Sequence, residues 1–341
     1  MKPVLVPFFI PHLGCPHRCI FCDQVKIAGA RSVLPDPAEL RGRIAEYRSA
    51  APGRALEVAF YGGTFTALPI EDQRRLLEPL QPLIACREVQ SVRLSTRPDA
   101  IDPGTVSFLL SMGVTTVELG VQSMDGQVLT RSRRGHTAAD VERAVSLLAE
   151  GGVSVGIQLM PGLPGDSEER SLASLRRVLA LSPSFLRIYP ALVIDGTELA
   201  DLYLRGEYRP LSLDEAVSVS KKMLTAARKA GVPVVRMGLQ PTAELEAPGV
   251  ILAGPYHPAF RQLVEGELMY DRACELAAGL PAGSEVTFAV SRGKVSDLVG
   301  QRRLNVKRLT ERFGIRVAGV REDDALAEGE VSLTARESER M

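Results

Sequence analysis

The sequence has no excess charge of either sign, no long apolar run, no internal repeat and few cysteines. Lys plus Arg equals Asp plus Glu at 41 each, so the whole-chain balance singles out no class of partner. The longest apolar stretch near the start, Val4 to Ile10, is broken by Pro7, and no basic n-region or small-residue cleavage site accompanies it. It is too short to span a bilayer, and no other segment approaches the roughly 20 apolar residues that spanning needs. The expectation is a cytoplasmic protein without a membrane anchor. Five cysteines, three of them within eight positions, do not form a disulfide framework. In a reducing compartment such a cluster favours metal or catalysis. The absence of a 20–50-residue period excludes a solenoid.

What is present is an alternation. Short β-branched runs occur at Val4–Ile10, Glu57–Tyr61, Ser91–Ser95, Thr116–Val121, Val153–Met160, Phe185–Tyr189 and Val232–Met237. Between them, apolar residues three and four apart predict helices at Pro37–Tyr47, Ile70–Ile84, Pro103–Met112, Ala138–Glu150, Glu168–Leu181 and Leu213–Lys229. Asp36-Pro37, Asp102-Pro103 and Ser212 with Glu215 read as N-terminal caps. Strand–helix alternation implies an α/β fold with a parallel sheet, here a partial or full (β/α) barrel over residues 1–250. In such barrels the chemistry sits on loops after the C-terminal strand ends.

Near Gly249 the rhythm changes, and a small basic α/β domain is expected over 251–321: a helical stretch 260–278, a strand Glu285–Val290, a helical run 295–313 and a strand 315–320. From Glu285 to Arg321 there are nine Lys or Arg against three Asp or Glu. Arg292, Lys294, Arg302, Arg303, Lys307, Arg308 and Arg312 gather on and around one predicted helix, which can contact phosphates or simply be solvated. Asn305 reads equally as part of a core-facing turn. Residues 322–341 read as a frayed acidic tail. Tyr256-His257-Pro258 reads as a junction turn that can face the barrel mouth, and Cys86 and Cys274 as small buried apolar residues. Arg187, Tyr189 and Arg236 lie at strand ends, where polar residues can meet a substrate.

The cysteines read Cys15-Pro-His-Arg-Cys19-Ile-Phe-Cys22. Thiolates suit zinc or an iron–sulfur cluster. A zinc site wants four closed ligands, which His12 or His17 would complete. A cubane held by three cysteines leaves one iron open for a substrate. Both readings stand on the spacing alone.

This spacing, with Phe21 before the third cysteine, resembles the signature of the radical S-adenosylmethionine (SAM) superfamily. Further matches follow in order: Tyr61-Gly-Gly-Thr-Phe-Thr66, Leu94-Ser-Thr-Arg-Pro-Asp99, Glu118-Leu-Gly-Val-Gln-Ser123, Arg134-Gly-His-Thr137 and Gly156-Ile-Gln-Leu-Met-Pro-Gly162. The resemblance implies a [4Fe–4S] cluster on Cys15, Cys19 and Cys22, with SAM on the open iron. It implies that Gly62, Gly63 and Thr64 receive the SAM amino group, that Ser95 meets the ribose and that Gln122 and Arg134 contact SAM, the arginine through its carboxylate. Gln158 then lines the adenine or ribose. Three positions depart from the pattern: Thr64, Ser95 and Gln158 stand where relatives often carry Glu, a carboxylate, and Asp or His. One-electron reduction implies a donor such as flavodoxin or ferredoxin.

Within the superfamily, residues 10–240 are similar to the radical SAM half of the Elongator catalytic subunit, a tRNA wobble-uridine enzyme. Met160-Pro-Gly-Leu-Pro-Gly165 and Arg187-Ile-Tyr-Pro190 extend that match. The cysteine spacing here is shorter, and the 91 residues after 250 show no acetyl-CoA-type pyrophosphate loop. The resemblance therefore implies a short bacterial relative without the acetyltransferase, acting on RNA, with tRNA foremost. Two other readings are an enzyme of small molecules, as in the oxygen-independent coproporphyrinogen oxidase branch, and a zinc or iron–sulfur nucleic-acid-binding module without catalysis.

Overall fold

The computed structural model describes residues 3–30 and 32–336. Among these are twelve strands: β1 Val4–Phe9, β2 Leu56–Tyr61, β3 Val89–Thr96, β4 Val114–Gln122, β5 Ser154–Leu159, β6 Phe185–Ile188, β7 Val193–Ile194, β8 Val234–Met237, β9 Ile251–Ala253, β10 Glu285–Val290, β11 Arg316–Glu322 and β12 Val331–Arg336. All seven β-branched runs read from the sequence became strands of one sheet, ordered β1-β2-β3-β4-β5-β6-β8 and parallel throughout. Each strand lies beside its neighbour in sequence, so all C-terminal ends share one rim. Among the described residues β1 and β8 do not pair, and the sheet is a curled half-barrel.

Local chemistry explains the elements. Strand β2 is buried from Leu56 to Phe60, the near-continuous apolar run that two-sided burial demands. Asp36 caps the helix Pro37–Ala50 by accepting from the Ala38 and Glu39 amides. Ser212 and Glu215 form a reciprocal capping box on the helix Leu213–Lys229.

Several expectations need correction. The helix read over Ile70–Ile84 is three pieces, Ile70–Leu77, a 3₁₀ turn Glu78–Leu80 and Gln81–Ala85, because Pro79 and Pro82 have no N–H to continue the ladder. Cys86 is exposed rather than buried, following that broken segment.

The chain divides into two compact units, one ending at Pro258 and a second from Ala259 on that also takes Ser220–Lys222. Residues 251–253, expected in the second domain, pair as β9 with β7 and belong to the first. In the second unit the helix Phe260–Ala277 packs Met269, Tyr270 and Ala273 with Phe288 of β10 and Leu309. Strand β10 runs parallel to β11 and antiparallel to β12. Part of the expected acidic tail is therefore a strand, with Leu333 opposite Phe288; residues 337–341 lie outside the described ones. The expected helical run 295–313 is two helices, Val295–Val299 and Leu304–Phe313. No described helix is long and apolar enough to cross a membrane.

Candidate active site

The loop after β1 carries the three cysteines and lies against the loop after β2. Cys15 Sγ is 3.3 Å from Thr64 Oγ1, and the Thr64 amide donates to the Leu13 carbonyl at 2.8 Å. Gln24 fastens the far end: its Oε1 accepts from the amides of His12 at 2.6 Å and Gly63 at 2.7 Å. Gly63 makes this approach possible. Its φ is +60°, and a Cβ there would lie 2.3 Å from the Leu13 carbonyl oxygen and 2.6 Å from that of Ile10. Gly63→Ala should cost at least about 1–2 kcal/mol for the left-handed backbone alone, with the carbonyl clash added. A thermal midpoint within about 1 °C of the unaltered chain would contradict this packing.

Cys15 and Cys22 sit in a medium hostile to their charged forms. Burial first, then the neighbouring Cys19 and Cys15, pushes Cys22 up to about 12. Burial likewise raises Cys15, against the opposing hydrogen bond from Thr64. Metal binding must therefore displace protons from this loop. Cys19 is buried and receives a hydrogen bond from Arg134 Nη1 at 3.0 Å. Arg134 Nη2 donates to the Gly120 carbonyl of β4.

A second buried arginine stands beside it. Arg97 forks onto Asp99, Nε to Oδ1 at 2.9 Å and Nη2 to Oδ2 at 2.8 Å, and also donates to the Arg134 carbonyl. Burial works against the Asp99 charge, yet Arg97 leaves the carboxyl below its ordinary value. His136, 3% exposed, is pushed down to about 3 by burial and then by Arg134 and Arg97, so it is neutral. Arg134 Nε and Arg97 Nη1 are buried without a partner among the described residues. Gln122 ends β4 with φ +66°, a strained conformation for a residue with a side chain, and accepts at 3.4 Å from Gln158 Nε2.

Inside the half-barrel, Glu118 of β4 is 5% exposed and gathers three partners. Arg93 Nη1 donates to its Oε1 at 3.0 Å and Arg93 Nη2 to Glu57 Oε2 at 2.9 Å. Arg187 Nη2 donates to the same Oε1 at 3.0 Å, and its guanidinium lies 5.4 Å from the Tyr61 ring centroid. The Tyr61 hydroxyl donates to Glu118 at 3.4 Å.

The cysteine loop, Gln24, Arg97, Arg134, Glu118 and Arg187 meet on one cavity of about 590 Å³, within the range of small-molecule and cofactor sites. Cys15, Cys19, Cys22, Gly62, Gly63, Thr64, Ser95, Gln122, Arg134 and Gln158, each read from the sequence, all line it. So do Arg187, Tyr189 and Arg236. His257 does not line it, and Tyr256 instead packs with Leu192 and Leu245 and donates to Glu246 at 2.8 Å. Sequence reading passed over Gln24, Arg97, His136 and Glu118. The available signal for Arg97 was the arginine of an Arg-Pro-Asp turn.

The donor set fits an iron–sulfur cluster and an anionic ligand beside it. Among the described residues no three His, Cys, Asp or Glu side chains converge tightly enough to hold one ion. A cubane does not ask for that convergence, since each cysteine takes a different iron. The unspent donors of Arg134 and Arg97 suit a carboxylate-bearing partner.

Residues 9–178 match the family model of the radical SAM superfamily, and residues 183–270 that of the radical SAM C-terminal domain. The chain belongs to the radical SAM superfamily, whose members bind a [4Fe–4S] cluster and SAM. It is therefore an enzyme, not the non-catalytic metal module that the cysteine spacing leaves open. Its relatives include the tRNA uridine(34) acetyltransferase of Methanocaldococcus jannaschii, 32% identical over 249 residues that cover 60% of this chain and 45% of that protein. Elongator complex protein 3 of Homo sapiens is 31% identical over 189 residues, 50% of this chain and 35% of the other. The chain spans about half the length of the curated relatives it matches. A solved structure, the archaeal Methanocaldococcus infernus Elp3 with an N-terminal deletion, superposes with a TM-score of 0.61 at 25% identity, covering 82% of this chain and 69% of that one.

Proposed function

We propose that this chain binds a [4Fe–4S] cluster on Cys15, Cys19 and Cys22, binds SAM beside it, and modifies RNA, with tRNA the substrate class. The carrying observation is that ten residues from six separate segments, all within motifs aligned to the superfamily though Thr64, Ser95 and Gln158 depart from its usual residues, line one cavity at the strand ends. Bound together, the two groups supply reductive cleavage of SAM to a 5′-deoxyadenosyl radical.

The chain's own residues have separable tasks. Thr64 and the Gly62-Gly63 backbone brace the cysteine loop and offer polar atoms to the SAM amino group. Arg134 spans Cys19 and β4, so a SAM carboxylate held on it would be set in register with the cysteines. Ser95 faces the ribose, and Gln122 with Gln158 forms an uncharged wall for the nucleoside. Arg187 and Glu118 hold each other, so their charges are largely spent before any substrate arrives. A flavodoxin- or ferredoxin-class donor supplies the electron. The acetyl-group chemistry of the longer relatives is not carried over.

Anaerobic reconstitution with iron and sulfide should give absorbance near about 400 nm and, with SAM and a reductant, 5′-deoxyadenosine. Absence of both would overturn the cofactor reading. Nucleoside analysis of tRNA from cells with and without this gene should show one modification missing. Identical nucleosides, with SAM cleavage intact, would move the substrate to a small molecule.

A further inference from the structure

Between Glu285 and Arg321 the second unit carries nine Lys or Arg, and several are spent within it. Arg308 pairs with Glu267 and lies 3.7 Å from the Tyr270 ring centroid. Lys294 pairs with Asp297 at 3.1 Å, Arg316 with Glu285, and Arg312 reaches Cys274 Sγ at 3.8 Å. Arg292, Arg302, Arg303, Lys307 and Arg321 are left exposed, with no acidic partner among the described residues, and Arg302, Arg303 and Lys307 lie close together in the chain.

The backbone gathers these three. The helix Val295–Val299 stops at Gly300, whose φ is +71°, and one tight turn of residues 301–303 leads into the helix Leu304–Phe313. Arg302 and Arg303 are both left-handed, at φ +50° and +62°, a region that disfavours residues with a side chain. Asn305, 3% exposed, holds the turn from beneath, its Nδ2 donating to the Gly266 carbonyl at 3.0 Å and that of Asp297 at 3.4 Å. A Cβ on Gly300 would lie 2.9 Å from Asn305 Cγ, so only glycine fits against that amide. Lys307 lies on the first turn of the helix Leu304–Phe313, four residues after Arg303. Leu304, 53% exposed, adds an apolar surface beside the arginines.

We propose that the turn Gly300–Arg303, with Lys307, grips the sugar–phosphate backbone of a short single-stranded stretch of RNA. The inference rests on the RNA reading above and adds where the RNA is held. Two guanidinium forks and an ammonium suit consecutive phosphates. The exposed Leu304 suits an unstacked base, which a duplex does not offer. The arrangement around the turn agrees: β10 leads into the first helix and the second leads into β11, its parallel neighbour. RNA modules of KH type clamp about four nucleotides on a G-x-x-G loop, and Gly300-Gln-Arg-Arg303 keeps the first of those two glycines.

The test is fluorescence anisotropy on the full chain with a labelled single strand of roughly 12 nucleotides, and with its duplex, across a salt series. Arg302→Ala/Arg303→Ala should weaken single-strand binding at least about tenfold and flatten the log–log salt slope by roughly 1.4, two phosphates at about 0.7 each. Arg302→Lys/Arg303→Lys should keep most of the slope. Circular dichroism of both variants guards against a collapsed turn, and the lysine pair keeps the test alive if the alanine pair misfolds. Unchanged affinity and slope in the alanine pair, or tighter binding of the duplex, would overturn the proposal. A wild-type chain that binds no RNA at all would overturn the RNA reading with it.

Discussion

Cys19→Ser is expected to leave a folded chain that holds almost no iron and cleaves SAM at less than about 1% of the unaltered rate. The residue is 9% exposed and takes a hydrogen bond from Arg134, so it sits where cluster and SAM carboxylate would adjoin. Serine keeps the size but replaces a soft ligand by a hard one that stays protonated. Iron and sulfide per reconstituted chain should fall from about four to below about one. The exposed Cys86 is the control, and Cys86→Ser should retain both iron and activity. Full iron content in the Cys19 variant would sink the ligand assignment and return zinc or a different cysteine set to consideration.

Glu118→Ala is expected to lower the thermal midpoint by roughly 6–20 °C, from about 3–5 kcal/mol at about 2–4 °C per kcal/mol. The reason is asymmetry. Glu118 faces Arg93 and Arg187, whose side chains are 17% and 16% exposed, and its loss strands two poorly hydrated cations. Glu57 then answers Arg93 alone, and Arg187 keeps only the hydroxyls of Tyr61 and Tyr189. Replacing both partners, Glu118→Leu with Arg187→Met, should recover much of the loss, because a well-packed apolar pair carries no stranded charge. Calorimetry on the three proteins decides it. A midpoint within about 3 °C of the parent for the single variant would show that water already reaches the network.

How far the sequence could be read follows from the range of each interaction. The seven sheet strands were legible because β-branched runs between capped helices are local signals. The cysteines and the Gly62-Gly63 turn were legible because ligand spacing and glycine pairs are local too. Glu118 was not, since its partner Arg187 lies 69 residues away and neither looks unusual alone. Gln24 was hidden for the same reason, bonding Gly63 from 39 residues upstream. The break at Gly300–Arg303 escaped because apolar periodicity continues across it; only the buried Asn305 amide reveals why the helix stops. Strand β12 escaped because the acids flanking it suggested a solvated tail, while Val331 and Leu333 pair with β10.

The placement of the cysteine loop after the first strand has a consequence for biosynthesis. Cys19 is translated before Arg134, which contacts it and follows 115 residues later. At roughly 5–20 residues per second the interval is roughly 6–23 s. During it the three thiols stand without the walls that later shelter them, open to oxidation or to the wrong metal. A cluster held on these thiols would meet its complete walls only once β4 and the Arg134 loop have folded.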